Sequence, residues 1–428
     1  MGRSGNPAWK LSLLVAAFAL IAFAFAACGG DDSDSTGTTA DTSAESTGEA
    51  SAEAPSGPPI KIGTIYTGTG PLAEGFAILG DVYENWVNIT NEEGGINGHP
   101  VELVVKSEGS NTAEASRQAR ELVTQDKVMA IVGTLSTSEE SWAEIAAEKG
   151  VPVVGGSYFS APSYTNPNNF PVGASLITSY YGMMDQAKKN GVKKTAAIYC
   201  AEAPVCAVVE TLQKGIAEEV IGGIDFAAGV SVLSTSPNFK APCLKVKEVG
   251  AELLYIGFPP GITRRVLEEC STQNVEAPVT TSTGGLGIFD AEKPGVEGAT
   301  AVVAALPVAA EAGAPSERQH EILGDLMEDP ELSDTVSTPI AGLEMFKVAA
   351  ELGELGPEST PEDVKTALYQ VKDETLGGMT GPITYTPEKP LNVNCYFVAN
   401  VESGSWTSDG EYTCVPPKRL EEVLGLLG

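Results

Sequence analysis

V-M-A-I-V-G-T-L-S-T-S-E, Val128 to Glu139, decides how the rest of the chain is read. Val128 to Val132 is an unbroken apolar run of strand length, and Gly133 turns it. Thr134, Ser136, Thr137 and Ser138 follow as a hydroxyl cluster. Glu139, Glu140 and Glu144 then mark a helix start, where acidic side chains meet the positive end of the helix dipole. In an open α/β sheet, ligands sit beyond the carboxyl ends of the strands. A helix start at that place offers unpaired N–H groups to a small anionic or polar group, and neighbouring hydroxyls add to them. Taken alone, Ser136 or Ser138 reads as an ordinary N-cap.

The pattern repeats on both sides of this stretch. Ile60 to Ile65 alternates as strand one and leads into a glycine-rich loop, Tyr66 to Leu72. No Lys-Ser/Thr pair follows that loop, so it is not a phosphate loop. A helix from Phe76 to Asn91 places Phe76, Leu79, Tyr83 and Trp86 on one face. Strand two is Val101 to Val105, a helix is Ala113 to Gln125, and strand four is Val151 to Val154. After Phe170-Pro171-Val172-Gly173 the alternation restarts. Strands are expected at Thr195 to Tyr199, Ala228 to Val232, Glu252 to Gly257 and Pro278 to Thr281, with helices between them. Strand–helix alternation of this kind predicts an α/β fold with two doubly wound parallel sheets. A cleft between two such units is a usual place for a small ligand. Later come an apolar run at Val302 to Leu306, helices at Glu317 to Glu328, Pro339 to Leu352 and Thr360 to Gln370, and a hairpin-like region from Gly381 to Cys414.

The N-terminus reads differently. Arg3 and Lys10 precede Leu11 to Ala27, 17 residues without charge, and the segment ends F-A-A-C at Cys28. This has the form of a secretory signal, 1–27, with a lipobox-like Cys28 as the lipidated first residue, although Phe25 stands where Leu is usual. A bilayer-spanning helix needs about 20 apolar residues, so the run is short for an anchor. After Cys28, residues up to 59 are mostly Ser, Thr, Gly, Ala, Asp and Glu with almost nothing large and apolar, and 28–59 reads as a disordered tether.

Lys and Arg number 26 against 57 Asp and Glu, a net charge of −31, which argues against nucleic acid or an anionic membrane face as partner. Besides Cys28 there are Cys200, Cys206, Cys243, Cys270, Cys395 and Cys414. An even set in an exported chain implies three disulfides, and fifteen pairings exist. The nearest-neighbour set is favoured: 200 with 206, 243 with 270, and 395 with 414. No C-x2-C pair occurs and His99 and His320 lie far off, so no metal site is expected. No cofactor is implied. No nucleophile–His–acid set or G-x-S-x-G elbow is present, which argues against an enzyme.

The ordered segments 60–72, 92–105, 128–138, 150–157, 239–257 and 376–386 resemble the leucine/isoleucine/valine-type periplasmic binding proteins, the type I solute-binding proteins of ABC importers. The resemblance implies two lobes joined by three crossovers, near 172–175, 302–306 and 380–386. Lobe one is then 60–173 plus 303–380, lobe two 174–302 plus 381–415, and 416–428 a C-terminal tail. All six cysteines fall in lobe two, which fits bridges that leave a hinge free. It further implies a monomer outside the cytoplasm, held at the membrane by its lipid, that closes on a small solute and docks on a permease. A sensor reporting to a membrane receptor is the alternative. Carried over, the ligand's carboxylate would be held by Ser136, Thr137 and Ser138, with more hydrogen bonds from Ser157, Tyr158 and Ser160. Phe258 is the expected lobe-two contact, although ordinary cleft-wall packing explains it equally. Tyr66 would line the cleft. An amino-acid binder of this family has an acid where Thr283 stands, so Glu202 would have to replace it, or the solute is not an α-amino acid.

Overall fold

The computed structural model describes residues 54–387, 391 and 393–427. The signal segment, Cys28 and the tether as far as residue 53 lie outside the described residues. Residues 54–59, expected in the tether, already touch the body. The Ser56 N–H donates to the Gly98 carbonyl at 3.0 Å.

The first half alternates β1 (Ile60–Tyr66), α1 (Leu79–Glu92), β2 (Val101–Ser107), α2 (Thr112–Glu121), β3 (Ile131–Val132), α3 (Ala143–Glu148), β4 (Val153–Val154), α4 (Pro162–Thr165) and β5 (Asn169–Phe170). Its five strands run parallel in the order β2-β1-β3-β4-β5. The second half continues with α5 (Leu176–Lys189), β6 (Lys194–Cys200), α6 (Val209–Gly215), β7 (Asp225–Val232), α7 (Lys240–Val249), β8 (Leu253–Gly257), α8 (Pro260–Thr272), β9 (Val279–Ser282) and β10 (Thr300–Val303). The chain then forms α9 (Ala314–Leu323), α10 (Ser337–Leu352) and α11 (Pro361–Leu368), and returns as β11 (Cys395–Glu402), β12 (Ser405–Thr407), β13 (Tyr412–Cys414) and α12 (Pro417–Leu424). The second sheet has the order β12-β11-β10-β9-β8-β6-β7, with β13 also on β11. It is parallel from β7 to β10 and antiparallel beyond.

Helix α10 returns to the first sheet, against β3 and β4. Glycine makes this close approach feasible. A Cβ on Gly342 would lie 3.0 Å from the Gly133 Cα and 3.1 Å from the Gly155 Cα. Gly133 and Gly155 end β3 and β4 with φ of +61° and +65°, a region that favours glycine. These three residues set how deep the two ligand-side loops sit on the helix.

Several local expectations changed. The 416–428 tail is largely helix α12, which lies on α5 with Leu420 and Val423 buried. The P-I-T-Y-T-P segment forms only an isolated bridge, Glu374 with Ile383. The three disulfides are the expected 200–206, 243–270 and 395–414; the second joins α7 to α8, and the other two start from β6 and β11. Among the described residues no helix is long and apolar enough to cross a membrane.

Candidate functional site

Both sheets present the carboxyl ends of their strands to one cleft. From the first half, the loop after β1 gives Leu72 and Phe76, that after β3 gives Thr137, and that after β4 gives Tyr158 and Phe159. From the second half come Cys200, Ala203 and Val205 after β6, Phe258 and Pro259 after β8, and Ser282, Thr283 and Gly284 after β9. Leu176 and Tyr180 of α5, Tyr255 of β8 and Val209 complete the wall. The space free of protein atoms, mouth included, is about 660 Å³. A cleft between two sheets, at the carboxyl ends of their strands, is a usual place for a small ligand.

Thr137 is the one member of the 136–138 cluster on the cleft. Ser136 and Ser138 are buried on its other side. The Ser157 hydroxyl accepts the Ser136 N–H at 2.8 Å and donates to the Ser136 carbonyl at 3.2 Å. The Ser136 hydroxyl accepts the Ser138 N–H at 3.2 Å and the Trp142 indole N–H at 3.1 Å. Neither serine therefore serves as a side-chain N-cap to the turn that begins at Glu139. The Thr137 N–H donates to the Thr67 hydroxyl at 2.9 Å. The unpaired N–H groups expected here are thus satisfied within the same half of the molecule.

Behind the loops lies a carboxyl group that the sequence marks only as an acid at a helix start. Glu139 is fully buried and accepts the Ser157 N–H at 2.6 Å and the Asn169 amide at 2.9 Å. Burial pushes its pKa up to about 7, and the hydrogen bonds from Ser157, Ser160 and Asn169 hold the rise in check. It ties the loop after β3 to the loop after β4. A second buried acid, Glu108, accepts the hydroxyls of Thr67 and Thr137, the latter at 3.2 Å.

The other expected contacts divide. The Tyr158 hydroxyl crosses the cleft and donates to the Thr283 carbonyl at 2.6 Å. Burial raises its pKa well above the ordinary phenol value, which keeps it a donor. The Thr283 hydroxyl accepts the Ala304 N–H at 2.8 Å, so this side chain ties β9 to the segment leaving β10. Phe258 lines the cleft and stacks edge-on against Phe239, which lies under the Arg265 guanidinium at 5.3 Å. Ser157 and Ser160 are buried without reaching the cleft, and neither Tyr66 nor Glu202 lines it. Tyr66 packs against Tyr83. Glu202 accepts the N–H groups of Ala201 on its own loop and of Ser234 on the loop after β7, at 3.0 and 2.9 Å.

Three further features shape the cleft. The Cys200–Cys206 loop is a wall of the cleft. The Tyr180 and Tyr255 hydroxyls meet at 3.1 Å on that wall. Both tyrosines lie in apolar runs and gave no signal beyond core packing. Finally, the mouth is bridged: Arg264 of α8 reaches Glu74 at 3.4 Å, Asp290 at 3.2 Å and Glu331 at 3.4 Å.

Two α/β halves around a small enclosed cleft, with contacts across its mouth, define a clamp-like receptor class. Residues 59–408 match the family model described as periplasmic binding protein, and the chain belongs to that family. Its members are binding proteins rather than enzymes, and they work outside the cytoplasm. An amino acid binding protein of Pseudomonas aeruginosa is 28% identical over 176 residues. That match spans about half the relative's length, covering 39% of this chain and 45% of the relative. A leucine binding protein from Thermotoga maritima superposes with a TM-score of 0.67 at 18% identity, over 84% of this chain and 99% of that one. A solute binding protein of an ABC transporter from Rhodopseudomonas palustris, in complex with 3,4-dihydroxybenzoic acid, gives a TM-score of 0.67 at 18% identity, over 83% and 95%.

Proposed function

We propose that this chain is the solute receptor of an ABC importer, anchored outside the cell membrane by a lipid on Cys28 and acting as a monomer. It takes a small organic solute, an amino acid or a related carboxylate or amide, into the cleft and delivers it to a membrane permease. The observation that carries the reading is the cleft itself, built from strand ends of both sheets and bridged by the Tyr158–Thr283 hydrogen bond. Leucine and 3,4-dihydroxybenzoic acid, named for two proteins of the same fold, support a ligand of that size. Thr137, Tyr158, Phe258 and Thr283 are the proposed contacts. Ser136, Ser138, Ser157 and Ser160 hold the loop scaffold, and Glu202 and Tyr66 act at one remove. A ligand touching both halves favours the closed form only by its differential affinity for it.

The test is a thermal-shift screen of the purified protein, unfolded and refolded to strip carried-over solute. A compound that binds only the folded form, at about 100 times its dissociation constant, adds about 2.7 kcal/mol of stability. A shift accompanied by compaction in small-angle scattering supports the reading. Chemical turnover of the compound that shifts the protein overturns it.

A further inference from the structure

The cleft is surrounded by charge yet offers none to a ligand. Among the described residues that line it there is no Asp, Glu, Lys, Arg or His. Glu202, the candidate partner for an ammonium group, is held by the N–H groups of Ala201 on its own loop and of Ser234 on the loop after β7. Arg264 is held at the mouth by three acids, and Arg265 donates to the carbonyls of Ser234 and Ser236 at 3.2 and 2.6 Å. The hydroxyl loop after β3 is closed to an anion as well. The N–H groups of Ser136, Thr137 and Ser138 are all donated to side chains of the same half. The Thr67 and Thr137 hydroxyls both donate to one oxygen of Glu108, whose other oxygen is buried without a partner. A ligand carboxylate at Thr137 would compete for those hydroxyl protons with a carboxyl group directly behind it. An unpaired charge in such a place is far costlier than a neutral polar group. What remains for a ligand is the apolar wall of Leu176, Val205, Val209 and Phe258, with the Tyr180–Tyr255 hydroxyl pair.

We propose that the cleft selects a small molecule without formal charge, with a branched or aromatic body and an amide or hydroxyl group set against the tyrosine pair. This rests on the cleft being the solute site and narrows the solute to the neutral end of its range. The test is isothermal titration of the refolded full chain with two matched series: benzamide, benzoate and benzylamine; and isovaleramide, isovalerate and leucine. The amide of a series is expected to bind at least tenfold tighter than its charged counterparts. Benzoate, isovalerate or leucine binding as tightly as the amide overturns the charge selection and leaves the cleft as a solute site. No binding in either series, by protein that still melts cooperatively, overturns both. Glu108→Gln places an N–H donor where only acceptors stood, so the gap between amide and carboxylate should narrow tenfold or more. An unaltered gap overturns the part assigned to Glu108. The wild-type ratios decide the proposal even where the variant does not fold.

Discussion

Replacing Glu139 by Gln should make the protein more stable at neutral and alkaline pH, although it alters a fully buried, hydrogen-bonded side chain. Burial holds the Glu139 carboxyl at about 7, against an ordinary value of 4.5. Between those two values the folded protein keeps a proton that the unfolded chain has released. Stability therefore falls as pH rises from about 4.5 to about 7 and is level above that. At 1.36 kcal/mol for each pH unit, the gap corresponds to about 3 kcal/mol. Gln carries no such dependence. Its oxygen can keep the Ser157 N–H, and its amide can donate to Asn169 Oδ1, which is buried without a partner. The Asn169 side chain need only turn over. The assay is urea unfolding of wild type and variant at pH 5, 6, 7 and 8. The difference between them should grow with pH, favouring the variant by about 2–3 kcal/mol at pH 8. Asp334, pushed up to about 6 by burial, changes stability in the same direction but is common to both proteins and cancels. A variant less stable than wild type at pH 8, with an unchanged pH slope, would refute the reasoning.

Tyr158→Phe removes the hydrogen bond across the cleft and leaves the Thr283 carbonyl unpaired, a loss of about 1–3 kcal/mol. Whichever compound shifts the wild type should bind about tenfold or more weakly in titration; equal affinity would detach Tyr158 from closure. Opening the Cys200–Cys206 loop in a double Ser variant should cost about 2 kcal/mol in urea unfolding by loop entropy. It should also weaken ligand binding, because Ala203 and Val205 form part of the wall; full retention of affinity would argue that the loop is only a staple. Gly342→Ala inserts a methyl between the loops after β3 and β4, and about 1–3 kcal/mol of stability should be lost to overpacking. A wild-type melting temperature in that variant would mean the loops move apart freely.

The alternation of strands and helices was legible because inner strands such as β1, β6 and β8 are largely buried along their length, whereas helices such as α1 bury one face. The order of elements could be read from that pattern alone. The site was legible only to the level of loops. In an extended segment, neighbouring side chains point to opposite sides. Ser136 and Ser138 go one way and Thr137 the other, so three similar hydroxyls have different work. Alternation held the clue, but the turn at Gly133 hid the phase. Glu139 was read as a first-turn acid because helices commonly carry one there. Its burial depends on Ser157 and Asn169, 18 and 30 residues away. Glu202 was placed in the right loop, but a loop closed by a disulfide can aim a side chain inward or outward, and composition does not say which.

The cross-links are distributed unevenly, and that makes the two halves mechanically unequal. All three disulfides lie on strands of the second sheet or on the loop and helices packed with it, and α12 lies on α5 of the same half. The first sheet, with two-residue strands at β3, β4 and β5, is held by packing, hydrogen bonds and ion pairs, with no disulfide among the described residues. One jaw of the clamp is thus stiff and the other compliant. Hydrogen exchange should be faster around β3 to β5 than around β6 to β11, with reductant erasing much of the contrast. Such a receptor would meet its solute with a fixed wall and an adaptable lid. Adjustment to different solutes would then fall to the half built without covalent ties.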